Sequence, residues 1–139
     1  MAGAIYGTEG DDILFAKAKG SVIFGLGGDD TFIDGKGNDW FWGGNGADTF
    51  IFDTTDAKPP GSHQHDMVQD FNLAEGDVIV IDGVVIDSAD DVDIFAAAGW
   101  DVRSYHGNIP ENDSTVLINI ETQYTLQIGG LFIDDYYIG

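Results

Sequence analysis

The chain has 139 residues, no cysteine, 43% hydrophobic content and 25 acidic against five basic side chains, for a formal net charge of −20. That excess of negative charge works against nucleic acid or anionic lipid as a partner, and the missing cysteines exclude disulfides and thiol chemistry. Membrane insertion is not expected, because no apolar run approaches the roughly 18 residues that a spanning helix needs. No N-terminal signal peptide is apparent, and Met1-Ala2-Gly3 reads as an appended start rather than a natural one. The size suits one domain over 1–139, small enough to gain from metal staples.

The first element is a repeat. Five nine-residue units, 7–15, 16–24, 25–33, 34–42 and 43–51, follow one another without a gap. The eighth position of each is apolar (Leu14, Ile23, Phe32, Phe41, Phe50), and the sixth carries Asp12, Ser21, Asp30, Asp39 and Asp48. Each unit pairs a glycine-rich turn, as in Gly43-Gly44-Asn45-Gly46-Ala47-Asp48, with a three-residue apolar strand, as in Thr49-Phe50-Ile51. Alternation along that strand points the eighth residue one way and its two neighbours the other. Strands so short require stacking into a solenoid, whose coils jointly bury a core that no single repeat could bury.

If one coil comprises two units, residues eighteen apart stack. Asp12, Asp30 and Asp48 then form one column, and Ser21 and Asp39 the other. Carboxylates about 4.8 Å apart repel by roughly 3 kcal/mol per pair at an effective dielectric of about 20. Five Lys and Arg in the whole chain cannot neutralise them. Carboxylate oxygens and exposed turn carbonyls are the hard ligands that Ca²⁺ takes, six to eight at a time.

These residues resemble the hemolysin-type, or RTX, nonapeptide repeats, whose pattern is Gly-Gly-x-Gly-x-Asp-x-apolar-x. Unit 43–51 matches throughout. Unit 34–42 departs at Asp34, unit 25–33 has Leu26 at the second position, unit 7–15 keeps Gly7, Gly10 and Asp12, and unit 16–24 lacks the glycines and carries Ser21. The resemblance implies ions held between turns two units apart, by backbone carbonyls and both aspartates. It assigns Thr8, Gly10 and Asp12 with Gly25, Gly27 and Asp30 to one site, and Leu26, Gly28 and Asp30 with Gly43, Asn45 and Asp48 to a second. Gly35, Gly37 and Asp39 of unit four need a later partner.

After Phe52 the segment 52–65 reads as an exposed loop around Pro59-Pro60-Gly61. Asp66-Met67-Val68-Gln69-Asp70-Phe71 and Glu75-Gly76-Asp77-Val78-Ile79 resemble the segments that follow the repeats in serralysin-type proteases and alginate epimerases, where they cap the last coil. The resemblance lets Asp66 or Asp70 face Asp39; the alternative is solvent-facing acids on a short strand. The rest of 66–139 reads as a β-rich cap with strands at 78–81, 84–86, 100–105, 114–122 and 124–128. A single short helix over 88–98 has Ser88 as N-cap and Gly99 as stop, and Pro110 and Asn112-Asp113 mark a turn. Ile133-Asp134-Asp135-Tyr136-Tyr137-Ile138-Gly139 is similar to the uncleaved tails read by type I secretion; the alternative is a terminal strand.

No catalytic machinery is legible. His63 and His65 lack a third ligand and a positioned base and read as loop residues, as does His106; no nucleophile motif or phosphate loop is present. Trp40 and Trp42 flank the core residue Phe41 and point outward together with Val22 and Phe24. Such a patch either packs beneath the C-terminal half, the commoner fate, or stacks on sugar rings. Trp100 has the same two readings.

The expectation is an all-β chain: a parallel β-roll of about two and a half coils, then a small β-rich C-terminal cap with one short helix. It is read as a non-enzymatic Ca²⁺-binding module holding about two to four ions, carried by a secreted, extracellular bacterial protein with an upstream domain. The module folds outside the cell after type I secretion. The alternative is a carbohydrate-binding accessory module for a neutral polysaccharide.

Overall fold

A computed structural model describes residues 4–17, 20–35, 37–53, 65–107, 113–133 and 136–137. The repeat gives β2 (Ile13–Phe15), β3 (Val22–Phe24), β4 (Thr31–Ile33), β5 (Trp40–Trp42) and β6 (Thr49–Phe52), and β1 (Ala4–Tyr6) precedes them. Consecutive strands alternate between two sheets, and partners within a sheet are parallel and eighteen residues apart: Ile5 pairs with Ile23 and Ile23 with Phe41, while Leu14 pairs with Phe32 and Phe32 with Phe50. The coil of two units therefore follows from the spacing of the eighth-position residues.

Those residues are the core. Ile23, Phe32, Phe41 and Phe50 are all fully buried, with Phe32 stacked on Phe50 at 4.8 Å and Phe41 tilted against Phe32 at 5.6 Å. Among the described residues the first coil has a neighbour on one side only. Ile5 and Leu14 are half-buried in consequence, and the outward-facing Tyr6, Ile13 and Phe15 are over 60% exposed.

The winding continues past the last repeat. β7 (His65–Val68) adds to β5 with Phe41 opposite Val68, and β8 (Val78–Ile81) adds to β6 with Phe50 opposite Ile79. The segment expected to cap the roll thus begins with a further coil. Its register is hard to see in sequence because the partners of Phe41 and Phe50 come 27 and 29 residues later, not 18.

Beyond it, Asp82 and Gly83, both at positive φ, turn the chain back into β9 (Val84–Ile86), antiparallel to β8. The expected helix resolves into a 3-10 turn, Ala89–Val92, followed by α1 (Asp93–Ala97), with the Asp91 carboxylate accepting the Ser88 N–H at 3.0 Å. Gly99, at φ 94°, ends it. β10 (Asp101–Tyr105), β11 (Ser114–Ile118) and β12 (Thr125–Gly129) form an antiparallel meander that joins the roll through a parallel pairing of β12 with β7. The strand expected over 114–122 stops at Ile118 because Asn119–Gln123 forms a turn, with the Gln123 N–H donating to the Asn119 carbonyl. One sheet has the order β1-β3-β5-β7-β12-β11-β10 and the other β2-β4-β6-β8-β9.

This edgewise growth leaves Trp40 exposed where burial was expected, with Trp42 half-buried. The C-terminal half extends the first sheet sideways, so its outer face keeps Trp40 39% exposed, beside a stack of Tyr6, Phe24 and Trp42 with centroids 5.2 and 4.8 Å apart. Trp100 does turn inward, edge-on to Phe95 and Tyr124. His106 is also more than a loop residue: its ring stacks on Phe132 at 3.8 Å, stands edge-on to Tyr137 and approaches Asp113 at 3.3 Å. Most of the loop 52–65, including His63, lies outside the described residues, as do Pro110, Asn112 and positions 134, 135, 138 and 139 of the proposed tail.

Candidate metal centre

Parallel stacking lines up the turns 7–12, 25–30 and 43–48 along one edge of the roll, and 69–77 follows them. Along it runs a carboxylate ladder. Asp30 accepts the Asp12 N–H, Asp48 that of Asp30, and Asp77 that of Asp48, each at 2.9 Å and each through Oδ1. One oxygen per side chain is thereby committed to the coil before it. The other oxygens of Asp30 and Asp48 are buried with no hydrogen-bond partner. An unsatisfied buried acceptor costs about 1–3 kcal/mol, and more when ionised.

The first glycine of the turn makes room for that oxygen. A Cβ on Gly25 would meet Asp30 Oδ2 at 2.5 Å and the Gly43 carbonyl oxygen at 2.8 Å, and one on Gly43 would collide with Asp48 Oδ2. Carboxylate and next-coil carbonyl therefore converge on the same space. Burial, assisted by neighbouring acids and opposed by the backbone donors, pushes Asp30 and Asp77 up to about 6 and Asp48 up to about 8. Without a cation between them, ionising these stacked carboxyls costs free energy, most of all at Asp48.

The opposite edge carries Ser21, Asp39 and Asp66. The Ser21 hydroxyl accepts the Lys17 N–H at 2.8 Å, and Asp66 Oδ1 accepts the Asp39 N–H at 2.9 Å. Asp34, Asp39 and Asp66 each offer a carboxylate oxygen, all within 4.8 Å of one another. Burial and the charges of Asp66 and Asp39 raise Asp34 far above the carboxylate range. The buried Tyr124 hydroxyl donates to Asp66 Oδ2 at 2.9 Å, and burial next to that carboxylate raises the phenol as well.

Two overlapping stretches, 6–33 and 24–54, match the RTX calcium-binding nonapeptide repeat. Residues 6–54 are RTX repeats. Among solved structures the chain is similar to the AlgE6R3 subunit from the Azotobacter vinelandii mannuronan C5-epimerase, with a TM-score of 0.60 and 19% identity over 98% of this chain and 77% of that one. At that identity the likeness is one of fold. No curated protein matches the chain.

The RTX turns bring most of the predicted residues together. Thr8 holds Asp12 from within its own turn, through its N–H at 2.6 Å and its hydroxyl at 3.1 Å, and the Gly10 N–H donates to that hydroxyl. Leu26 stands at φ 73°, the left-handed backbone that glycine would adopt more readily, and its carbonyl accepts the Asn45 N–H at 3.0 Å. Gly27 packs on Glu9, Gly28 on the Gly10 carbonyl and Gly35 on the carbonyls of Ala16 and Lys17, while Gly37 is half-buried. Asp66 is the residue that faces Asp39. Asp70 is not: it reaches the other edge, where its carboxylate accepts the N–H groups of Gly43 at 2.8 Å and Gly44 at 2.9 Å. His65 is exposed at the start of β7, with its N–H on Asn38.

Three residues at the two edges escaped the sequence reading. Asp77 extends the ladder; its signal is an aspartate two places before a buried strand residue, Ile79, as Asp48 precedes Phe50. Asp34 replaces the first glycine of its unit, and a carboxylate at a turn position was itself the clue. Tyr124 lies 58 residues from Asp66 and leaves no trace in the repeat.

Proposed function

We propose that this chain is a calcium-responsive β-roll module of a secreted protein, ordered by Ca²⁺ outside the cell and aiding the export or stability of the protein that carries it. The observation that supports it best is the pair of buried, unpartnered oxygens, Asp30 Oδ2 and Asp48 Oδ2, in a chain of net charge −20. Their donor set fits a hard divalent ion: carboxylates, a glycine-cleared cradle and carbonyls of the next coil. Asp12, Asp30, Asp48 and Asp77 would hold ions along one edge with carbonyls from Thr8, Gly10, Gly25, Leu26, Gly27, Gly28, Gly43 and Asn45, and Asp34, Asp39 and Asp66 would hold one at the other with Gly35 and Gly37. Bound Ca²⁺ supplies the positive charge that lets these acids stay ionised while stacked. The roll and the C-terminal strands act as one folding unit over 1–139, because one sheet runs through both. Since the turns exist as sites only when the coils are stacked, binding energy becomes folding energy. Type I secretion and an upstream domain belong to this reading through the character of the repeats and of the acidic, apolar C-terminal segment.

Circular dichroism with and without Ca²⁺, joined to isothermal titration, tests it. Order that appears on adding millimolar Ca²⁺ supports the reading; a chain equally folded in chelator, with no heat of binding, refutes it.

A second reading rests on the outer face of the longer sheet. Trp40, exposed beside the Tyr6–Phe24–Trp42 stack, offers aromatic faces to sugar rings, and the structural relative is a subunit of a polysaccharide epimerase. The −20 charge favours a neutral polysaccharide over an acidic one. Affinity electrophoresis on neutral glycans should show retardation that Trp40→Ala removes; absence of retardation rejects it.

A further inference from the structure

We infer that Tyr124 is a positioning residue that makes ion binding at the Asp39–Asp66 edge and folding of the C-terminal strands a single cooperative event. The inference rests on the calcium reading and adds to it a link from the roll to the rest of the chain. Tyr124 is 2% exposed, immediately precedes β12, and donates its hydroxyl to Asp66 Oδ2 at 2.9 Å. Asp66 Oδ1 meanwhile accepts the Asp39 N–H at 2.9 Å. One carboxylate is therefore gripped from both sides, by the roll's backbone through one oxygen and by the C-terminal half through the other.

The first edge is built differently. Asp30 and Asp48 also give one oxygen to the preceding coil, yet their second oxygens have no protein donor. At Asp66, by contrast, a side chain from the C-terminal half holds the second oxygen of a candidate ligand. The grip has rigid backing. Leu126, two residues on, lies opposite Asp66 in the parallel β7–β12 pairing, and Tyr124 packs edge-on against Trp100, which packs against Phe95 of α1. A carboxylate held in one rotamer loses less freedom when an ion arrives. Conversely, an ion that orders Asp39 and Asp66 presents the acceptor on which Tyr124, and with it β12, docks. Coupling of this kind is reciprocal by linkage.

The test is calcium titration of Tyr124→Phe, which keeps the ring and removes only the hydroxyl. Losing a hydrogen bond to a carboxylate should weaken the Asp39–Asp66 class of sites by about tenfold or more and the Asp12–Asp30–Asp48 class by clearly less. A double-mutant cycle adds a readout that a purely structural role would not move. Tyr124→Phe and Asp66→Asn should be non-additive in their effect on the Ca²⁺ midpoint, whereas Tyr124→Phe and Asp48→Asn should be additive. Tyr124→Phe that binds Ca²⁺ like the parent, or is additive with Asp66→Asn, overturns the inference.

Should Tyr124→Phe fail to fold, hydrogen exchange on the unmodified chain decides. The amides of β12 and of the 34–39 turn should gain protection at the same Ca²⁺ concentration, and separate midpoints would overturn the coupling. Absence of any Ca²⁺ binding by the unmodified chain would instead defeat the calcium reading on which the inference stands.

Discussion

Protons should stand in for calcium in this chain. Without metal, burial holds Asp30 and Asp77 near 6 and Asp48 near 8, against 3.8 when they are free. The folded form then binds protons more tightly than the unfolded chain, so the stability these groups contribute is complete below about pH 4 and is lost as pH rises through about 6 and then about 8. At about 1.4 kcal/mol per pH unit, the raised values amount to roughly 3 kcal/mol each for Asp30 and Asp77 and about 6 for Asp48. Halved for solvent screening at the turns, the total is still roughly 6 kcal/mol, comparable with the whole stability of a small domain. In EDTA, far-UV circular dichroism and thermal melts should therefore show more order at pH 5 than at pH 8.5. Saturating Ca²⁺ should remove or invert that slope, because the ion binds the deprotonated acids and its uptake releases protons. A melting midpoint in EDTA that is flat or rises between pH 5 and 8.5 would refute the argument.

Further tests follow from the same geometry. Gly25→Ala puts a methyl group against Asp30 Oδ2 and the immovable Gly43 carbonyl and should raise the Ca²⁺ concentration for folding at least tenfold, whereas Gly10→Ala, whose nearest contact is an ordinary 3.7 Å, should leave it within about twofold. Phe50→Ala empties a fully buried position stacked on Phe32 and should cost about 3–5 kcal/mol in urea unfolding at saturating Ca²⁺. Asp77→Asn removes the end of the ladder, and isothermal titration should count one ion fewer; unchanged stoichiometry would take Asp77 out of the ligand set.

The repeat made the roll legible because its two signals are periodic. Phe32, Phe41 and Phe50 fix the inward face, and the eighteen-residue stacking of Asp12, Asp30 and Asp48 follows from it. Where the period breaks, the reading weakens. Asp77 is hidden by a turn of unequal length, and sequence leaves the choice between Asp66 and Asp70 as Asp39's partner open because an acid near a strand end can reach either edge; the structure puts Asp66 there. The fate of Trp40 depended on whether the C-terminal half would fold over the sheet or extend it, which is decided by the pairing of β12 with β7. No local pattern encodes that pairing, nor the contact between Tyr124 and Asp66, since both join segments about 60 residues apart.

The half-covered first coil also gives the molecule a mechanical polarity. Among the described residues β1 and β2 each have a single neighbour, and their inward residues Ile5 and Leu14 are packed from one side only. Tension applied there should peel the winding coil by coil, each eighteen-residue turn lengthening the tether by about 6 nm. At the far end the sheet broadens into the meander, where several strands must part together. Under load these described residues would yield gradually from the β1–β2 end of the roll and hold at the meander.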